Sequence, residues 1–295
     1  MNGAVASESY LPVMDGRVWC CAIGNGAAMP LLVLHGGPGV PHGYLEPLAA
    51  LADERPVVFY DQLGCGRSER PDDVSLWRIE RFVEELAQVR LALGLARIHL
   101  LGHSWGTILA VERFLRQPRG IASLILAAPF LRAPRWLQDV FPRLIAQLPT
   151  EVQSVLARHA AAGTTDSAEY QAALDAYSRR HLCRLDPLPA PLLQSIEGAN
   201  WQIRLNLFGR DEFHVTGPLK DYDRSGRLHE LAVPALFTCG HDDDSTPEYT
   251  AWLCGLVPEA EMVVFGQGSH MAHLEEPEHY VQVDRDFLRR VESQG

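Results

Sequence analysis

Residues 97–116 constrain this chain more than any other segment. A short apolar run, Arg97-Ile98-His99-Leu100-Leu101-Gly102, leads through Gly102-His103-Ser104-Trp105-Gly106 into an amphipathic stretch ending at Arg116. A strand that turns directly into a helix leaves no room for side chains beside the corner residue. Glycines on both sides of Ser104 remove the Cβ atoms that would clash there, and the serine is held in a strained conformation with its hydroxyl exposed. As a bare pentapeptide the Gly-x-Ser-x-Gly pattern is common. The strand before it and the helix after it give it meaning as a nucleophile elbow.

Strand-like runs fall at 17–23, 30–35, 56–61, 97–102 and 121–128, and again at 234–240 and 261–265. Leu76, Ile79, Phe82, Val83, Leu86, Val89 and Leu93 recur at helical spacing over 76–93, with Gly94 as the stop. Further helices are expected at 247–255 and 277–292. This alternation implies a mainly parallel sheet covered by helices on both faces. Residues 132 to about 230 hold no convincing strand, only helical stretches at 136–148, 151–162 and 167–183 broken by Pro and Gly. The expected architecture is an α/β-hydrolase fold with its core in 1–131 and 232–295 and an inserted helical cap over 132–231. The alternative is a plain doubly wound fold whose middle region is a second domain.

A serine hydroxyl needs a base to take its proton, and the base needs a carboxylate to fix its tautomer and steady its charge. In this fold the acid and the histidine follow the serine in that order, each on a loop at the carboxyl end of a strand. Gly240-His241-Asp242-Asp243-Asp244 follows the run 234–240, and Gly268-Ser269-His270-Met271-Ala272-His273 follows 261–265. Position favours Asp243, three residues past the Gly240 turn, over its neighbours, and His270, directly after Gly268-Ser269, over His273. The oxyanion of a tetrahedral intermediate needs two backbone N–H donors. Trp105 supplies one by following the serine. The other is expected from Gly37 in His35-Gly36-Gly37-Pro38-Gly39, since Pro38 has no N–H. Asp61 to Ser68 reads as a structural turn beside the site, with Cys65 close enough to the pocket to confer sensitivity to thiol reagents. Activity is expected to fall as a histidine of ordinary pKa, near ~6.5, becomes protonated.

Taken together, His35 to Gly39, Asp61-Gln62-Leu63-Gly64-Cys65-Gly66-Arg67-Ser68, Gly102 to Gly106, the Asp243 loop and Gly268 to Met271 resemble the proline iminopeptidase family of α/β-hydrolases. The resemblance covers nearly the whole chain and is least specific over 132–231. Segment 209–223 is similar to the stretch of the tricorn-interacting aminopeptidase branch that carries an acid for the substrate's amino terminus, and Glu212 matches that acid. The same branch has a second acid directly after the catalytic aspartate. Here that position is Asp244, where the family commonly has the longer Glu. The resemblance therefore implies a cofactor-free serine hydrolase, with no metal, acting on the amide after an unblocked amino acid in a small peptide or amino-acid amide. In it Ser104, His270 and Asp243 do the chemistry and Glu212 and Asp244 hold the amine.

Alternatives with the same triad are an esterase, a lactonase or a carbon–carbon bond hydrolase acting on a small molecule. A non-catalytic receptor on the same fold is the rival from another class. Trp136, Phe141, Tyr177, Trp201 and Phe208 are candidates for shaping the pocket, although any of them can equally be core. A net charge of −11 argues against nucleic-acid or anionic-membrane partners, which require clustered Lys and Arg. Six cysteines without a CxxC pair, and a first stretch, Met1 to Asp15, without a basic or apolar leader, point to reduced thiols and a cytoplasmic location.

Overall fold

Leu31-Leu32-Val33-Leu34 and Val57-Val58-Phe59-Tyr60 are apolar without interruption and buried at every position, which is the signature of strands covered on both faces. The computed structural model describes residues 6–294. Residues 1–5 and 295, which begin and end the expected core segments, lie outside the described residues. Eight strands form one sheet: β1 (Ala6–Val13), β2 (Gly16–Ile23), β3 (Leu31–Leu34), β4 (Val57–Tyr60), β5 (Ile98–His103), β6 (Ile121–Ala127), β7 (Ala235–Gly240) and β8 (Glu261–Phe265). Their order is β1-β2-β4-β3-β5-β6-β7-β8, antiparallel from β1 to β4 and parallel from there on.

Alternate residues of these strands feed two apolar layers. Leu32, Leu34, Val58, Tyr60, Leu100, Leu124, Leu126 and Phe237 face one layer, which α1 (Ile79–Ala92) and α2 (Trp105–Arg116) cover. Leu31, Val33, Val57, Phe59, Leu101, Ile125 and Leu236 face the other, closed by His42–Asp53 and the helix Pro277–Gln294. This is the α/β-hydrolase architecture expected. β1 was not: its exposed Ser-, Glu- and Tyr-bearing positions carry no apolar alternation, and it is held as an edge by β2. The turn that joins the two is Met14-Asp15, with Asp15 at φ 73°.

Between β6 and β7 the chain adds no strand to the sheet. Helices Thr150–Ala162 and Ala168–His181 lie where expected, and two short ones, Ala190–Glu197 and Trp201–Leu207, are additional. The stretch expected as one helix over 136–148 instead belongs to a helical run from Ala133 to Ile145 whose middle, Trp136–Val140, is widened into a π turn. Pro142 has no N–H to donate, and the turn ahead of it widens so that Phe141 N–H reaches the carbonyl of Trp136. Trp136, Leu156, Tyr177, Ile203 and Leu207 of this segment share one buried cluster with Leu100, Ile108 and Phe237, so the segment packs on the sheet rather than around a core of its own.

Two acidic residues on Pro277–Gln294, Glu292 and the buried Asp284, lie away from the pocket described below. Glu292 accepts from Arg55 Nη1 at 2.7 Å and from Met29 N–H at 2.9 Å, which ties the last helix to the chain ahead of β3. Asp284 is fully buried and neither carboxylate oxygen has a partner. Burial alone pushes its carboxyl well above the usual range, so it is held neutral.

The unfolded chain ionises Asp284 near ~3.9. Below that pH both states keep the proton. Above it only the unfolded state loses it, and the fold gives up about 1.4 kcal/mol per pH unit until Asp284 itself ionises. Asp284→Asn is expected to match the parent's urea-unfolding midpoint near pH ~4 and to exceed it at pH 7. Coincident midpoints at both pH values would show that the buried carboxyl is charged and stabilised in the fold.

Candidate active site

Ser104 sits at the corner between β5 and α2 with φ 54° and ψ −118°, a conformation non-glycine residues rarely hold. Its N–H donates to the Ala127 carbonyl at 2.9 Å, and Thr107 returns both its N–H (2.9 Å) and its hydroxyl (2.6 Å) to the Ser104 carbonyl. A Cβ on Gly102 would strike the Gly106 carbonyl, and one on Gly106 would strike the Leu34 carbonyl. The two glycines thus let helix, strand and neighbouring strand meet at the serine.

The loop after β3 reaches the same point. A Cβ on Gly36 would lie 3.1 Å from Ser104 Cβ and 2.9 Å from the Tyr44 hydroxyl, so only glycine permits this approach. Gly36 N–H donates to Tyr44 Oη at 2.7 Å, which obliges the Tyr44 hydroxyl to donate onward to His103 Nδ1 at 2.9 Å. His103 then carries its proton on Nε2 and gives it to the His270 carbonyl at 2.9 Å. Burial, with His270 and His273 nearby, holds His103 far below the usual histidine range, in keeping with this neutral tautomer. Because Gly36 N–H is taken and Pro38 has none, Gly37 N–H is the donor this stretch leaves for a substrate oxygen. Trp105 N–H, the first of α2, has no partner within its helix. Gln62 braces the two donor segments, giving its amide N–H to the His35 carbonyl at 3.0 Å and accepting from the Trp105 indole at 2.9 Å.

His270 Nδ1 lies 2.9 Å from Asp243 Oδ1 and 3.0 Å from Asp244 Oδ1. Asp243 is buried and fixed by Ser245 N–H (2.8 Å) and Gly240 N–H (3.3 Å). Asp244 lines the cavity, its carbonyl held by the Trp136 indole at 2.8 Å. Burial would push the His270 imidazolium down, but the charges of Asp244 and Asp243 and their hydrogen bonds hold it well above the ordinary histidine value. The expected value near ~6.5 is therefore too low for the free protein. Of the rivals, Asp242 turns outward to Arg184 Nη1 at 2.6 Å. His273 is buried beneath Tyr44, bonded to its carbonyl at 3.1 Å and pushed down to about 3 by burial. The ligand atoms of Asp243, Asp244 and His270 lie within 4.8 Å of one another. An imidazole nitrogen that gives its proton to a carboxylate offers no lone pair to a metal.

A cavity of about 560 Å³ opens over Ser104 and His270. Gly37, Trp105 and Asp244 line it, and so does Glu212 from the segment between β6 and β7. Glu212 is not a lone charge: its Oε1 accepts from Arg204 Nη2 at 2.6 Å, while Arg204 Nη1 donates to the Gly37 carbonyl at 3.1 Å. Trp136, Trp201 and Phe208 line the cavity, whereas Phe141 and Tyr177 pack with Phe213 behind it. Cys65 is fully buried against His35 and Gln62, outside the cavity, and burial raises its thiol; the expected thiol sensitivity has no basis there. Sequence reasoning missed Tyr44 and Arg204, which carry no motif, and gave no role to His103 and Gln62 although both stand inside quoted motifs.

The α/β-hydrolase fold family model matches residues 29–277. A proline iminopeptidase of Heyndrickxia coagulans is 45% identical over 97% of this chain and 99% of its own length. The crystal structure of a Mycobacterium smegmatis proline iminopeptidase, 37% identical, superposes with a TM-score of 0.91 over 97% of this chain and 98% of that one. The structure of VinJ, 34% identical, gives 0.92 over 97% and 99%.

Tyr44→Phe removes the hydroxyl that accepts from Gly36 and donates to His103, and strands two buried groups. We expect a stability loss of about 1–3 kcal/mol in urea titration, together with a fall in kcat of roughly tenfold or more. An unchanged kcat would show that the network does not align the site.

Proposed function

The chain belongs to the proline iminopeptidase family of α/β-hydrolases and is a hydrolase; we propose that it cleaves the amide bond after an unblocked N-terminal amino acid by way of an acyl-enzyme on Ser104. The observation that carries this reading is one cavity holding a strained serine, an imidazole backed by Asp243, and two further carboxylates, Glu212 and Asp244. The relatives named above add the reaction class, and proline in first place is the natural residue to test.

In this reading Ser104 Oγ attacks the scissile carbonyl as neutral His270 takes its proton. Asp243 holds the Nδ1 proton and steadies the imidazolium. Gly37 N–H and Trp105 N–H receive the developing oxyanion. His270 returns the proton to the leaving amine as the amide bond breaks, and water, activated by the same histidine, releases the amino acid from Ser104. The α-amine belongs to the acyl half, so Glu212 and Asp244 hold it through both steps. A buried ammonium needs such partners to offset its lost hydration. The segment 132–231, acting as a cap over the elbow, would restrict entry to short peptides and small amides. No helix among the described residues is long and apolar enough to cross a membrane.

Three measurements test this. A fluorophosphonate probe is expected to label the folded protein at Ser104, and Ser104→Ala to abolish labelling. Prolyl and alanyl anilides with free amines are expected to turn over while their N-acetyl forms do not; equal turnover would favour the esterase-like alternative. Glu212→Gln is expected to raise KM for the free-amine substrate by about tenfold with a smaller change in kcat, the pattern of a lost binding contact.

A further inference from the structure

The position of Asp244 differs from what an amine-binding acid alone would need. A residue reserved for the substrate would point into the cavity and away from the catalytic histidine. Asp244 instead lines the cavity and at the same time brings Oδ1 to 3.0 Å from His270 Nδ1, level with Asp243 at 2.9 Å. One Nδ1–H cannot satisfy both carboxylates fully. The two acids are not equivalent, because Asp243 is pinned by the N–H groups of Ser245 and Gly240. Among the described residues the Asp244 side chain has no partner besides His270.

We infer that Asp244 is shared: in the free enzyme Asp243 takes the Nδ1–H of His270 while the Asp244 carboxylate lies against the same nitrogen as a second anionic partner, and the α-ammonium of the substrate competes for it. The base therefore loses the hold of one of its two anionic partners only when a free amino terminus occupies the pocket. This deepens the aminopeptidase reading and rests on it. Asp244 then acts on specificity twice. It contributes to binding the amine, and its capture by the amine frees His270 to give up a proton to solvent and become the neutral base that Ser104 requires. An N-acetylated or amine-free substrate would bind next to a histidine still held as imidazolium.

The other groups around His270 leave Asp244 as the adjustable one. On the elbow side stand Ser104 and His103, the latter neutral and tied to Tyr44. On its own loop, His273 is buried and pushed down to about 3. From the helix Ala168–His181, His181 contributes its carbonyl to His270 N–H at 3.0 Å, and its ring turns to the Asp242 carbonyl. Glu275 is engaged with Ser269. Across the cavity Glu212 is neutralised by Arg204. Burial opposes a charge on His270, and the two aspartates overcome it.

The test follows the acid limb of the pH–rate profile for an aminoacyl 4-nitroanilide. In kcat/KM that limb reports His270 in the free enzyme, and in kcat it reports the complex. The expected result is a kcat limb at least about one pH unit below the kcat/KM limb, a tenfold change in the fraction of neutral base. Asp244→Asn should lower the kcat/KM limb and close the gap. Coincident limbs in the parent enzyme, or an unmoved limb in Asp244→Asn, would overturn the inference while leaving the aminopeptidase reading intact. If no aminoacyl anilide or amide is turned over, both fall. NMR titration of the His270 ring in Ser104→Ala and in Ser104→Ala/Asp244→Asn reads the same coupling without turnover. A lower midpoint in the double variant supports the inference, and equal midpoints sink it.

Discussion

The carboxyl ends of β3 and β5 run side by side, Leu34 opposite Gly102, and the site depends on how closely the two exit loops approach each other. Parallel pairing in register delivers the Gly36–Gly37 stretch and the Ser104 elbow to the same place. Gly106 rests directly on the Leu34 carbonyl, and a Cβ on Gly36 would press on Tyr44, Ser104 and His103. A methyl group at Gly106 would strike that carbonyl and part the loops, and one at Gly36 would displace the Tyr44 hydroxyl. Two backbone donors from different strands could not then face one oxygen, and oxyanion stabilisation depends on such preset positions rather than on movement at the moment of reaction.

Below that contact the polar groups order themselves without ambiguity. A backbone N–H can only donate and a carbonyl can only accept, so the chain from Gly36 through Tyr44 and His103 to the His270 carbonyl admits one arrangement of protons. Burial keeps His103 and His273 neutral on either side of it. Within this cluster His270 alone stands against carboxylates, and positive charge is confined to the ring that lines the cavity together with Ser104. The same wiring couples the loop that would hold the oxyanion to the loop that carries the base, although they are far apart in sequence.

Much of this was legible beforehand because it follows from local chemistry. Continuous apolar runs gave β3 to β8, the glycine pair gave the elbow, and the turns after β7 and β8 singled out Asp243 and His270, which lie 2.9 Å apart. What escaped has no local signature. β1 is an exposed edge whose stability comes from β2, not from its own pattern. Tyr44 lies in a 3-10 segment that contains Pro47, and its importance arises only when His103 is brought beneath it. Arg204 reads as an ordinary helical charge until the fold lays it between Glu212 and the Gly37 carbonyl. A chain of motifs can locate reacting groups, but it cannot show which of their neighbours are already engaged.

That engagement changes what the acidic pocket offers. Had Glu212 and Asp244 been vacant carboxylates, each would have been buried at the cost of its hydration, and any cation would have been welcome. Instead Glu212 shares its charge with Arg204, and Asp244, one methylene shorter than a glutamate, sits against His270. Under the proposed reading, an incoming ammonium would exchange partners with groups already present rather than fill an unmet charge. The carboxylates are thus partnered in the free pocket, and a neutral amide placed there brings at most an N–H and no charge to replace those partners. Only a ligand whose cation can take the place of both partners would redistribute the charge beside Ser104, so under the proposed function discrimination for a free amino terminus would be a matter of electrostatic exchange as much as of shape.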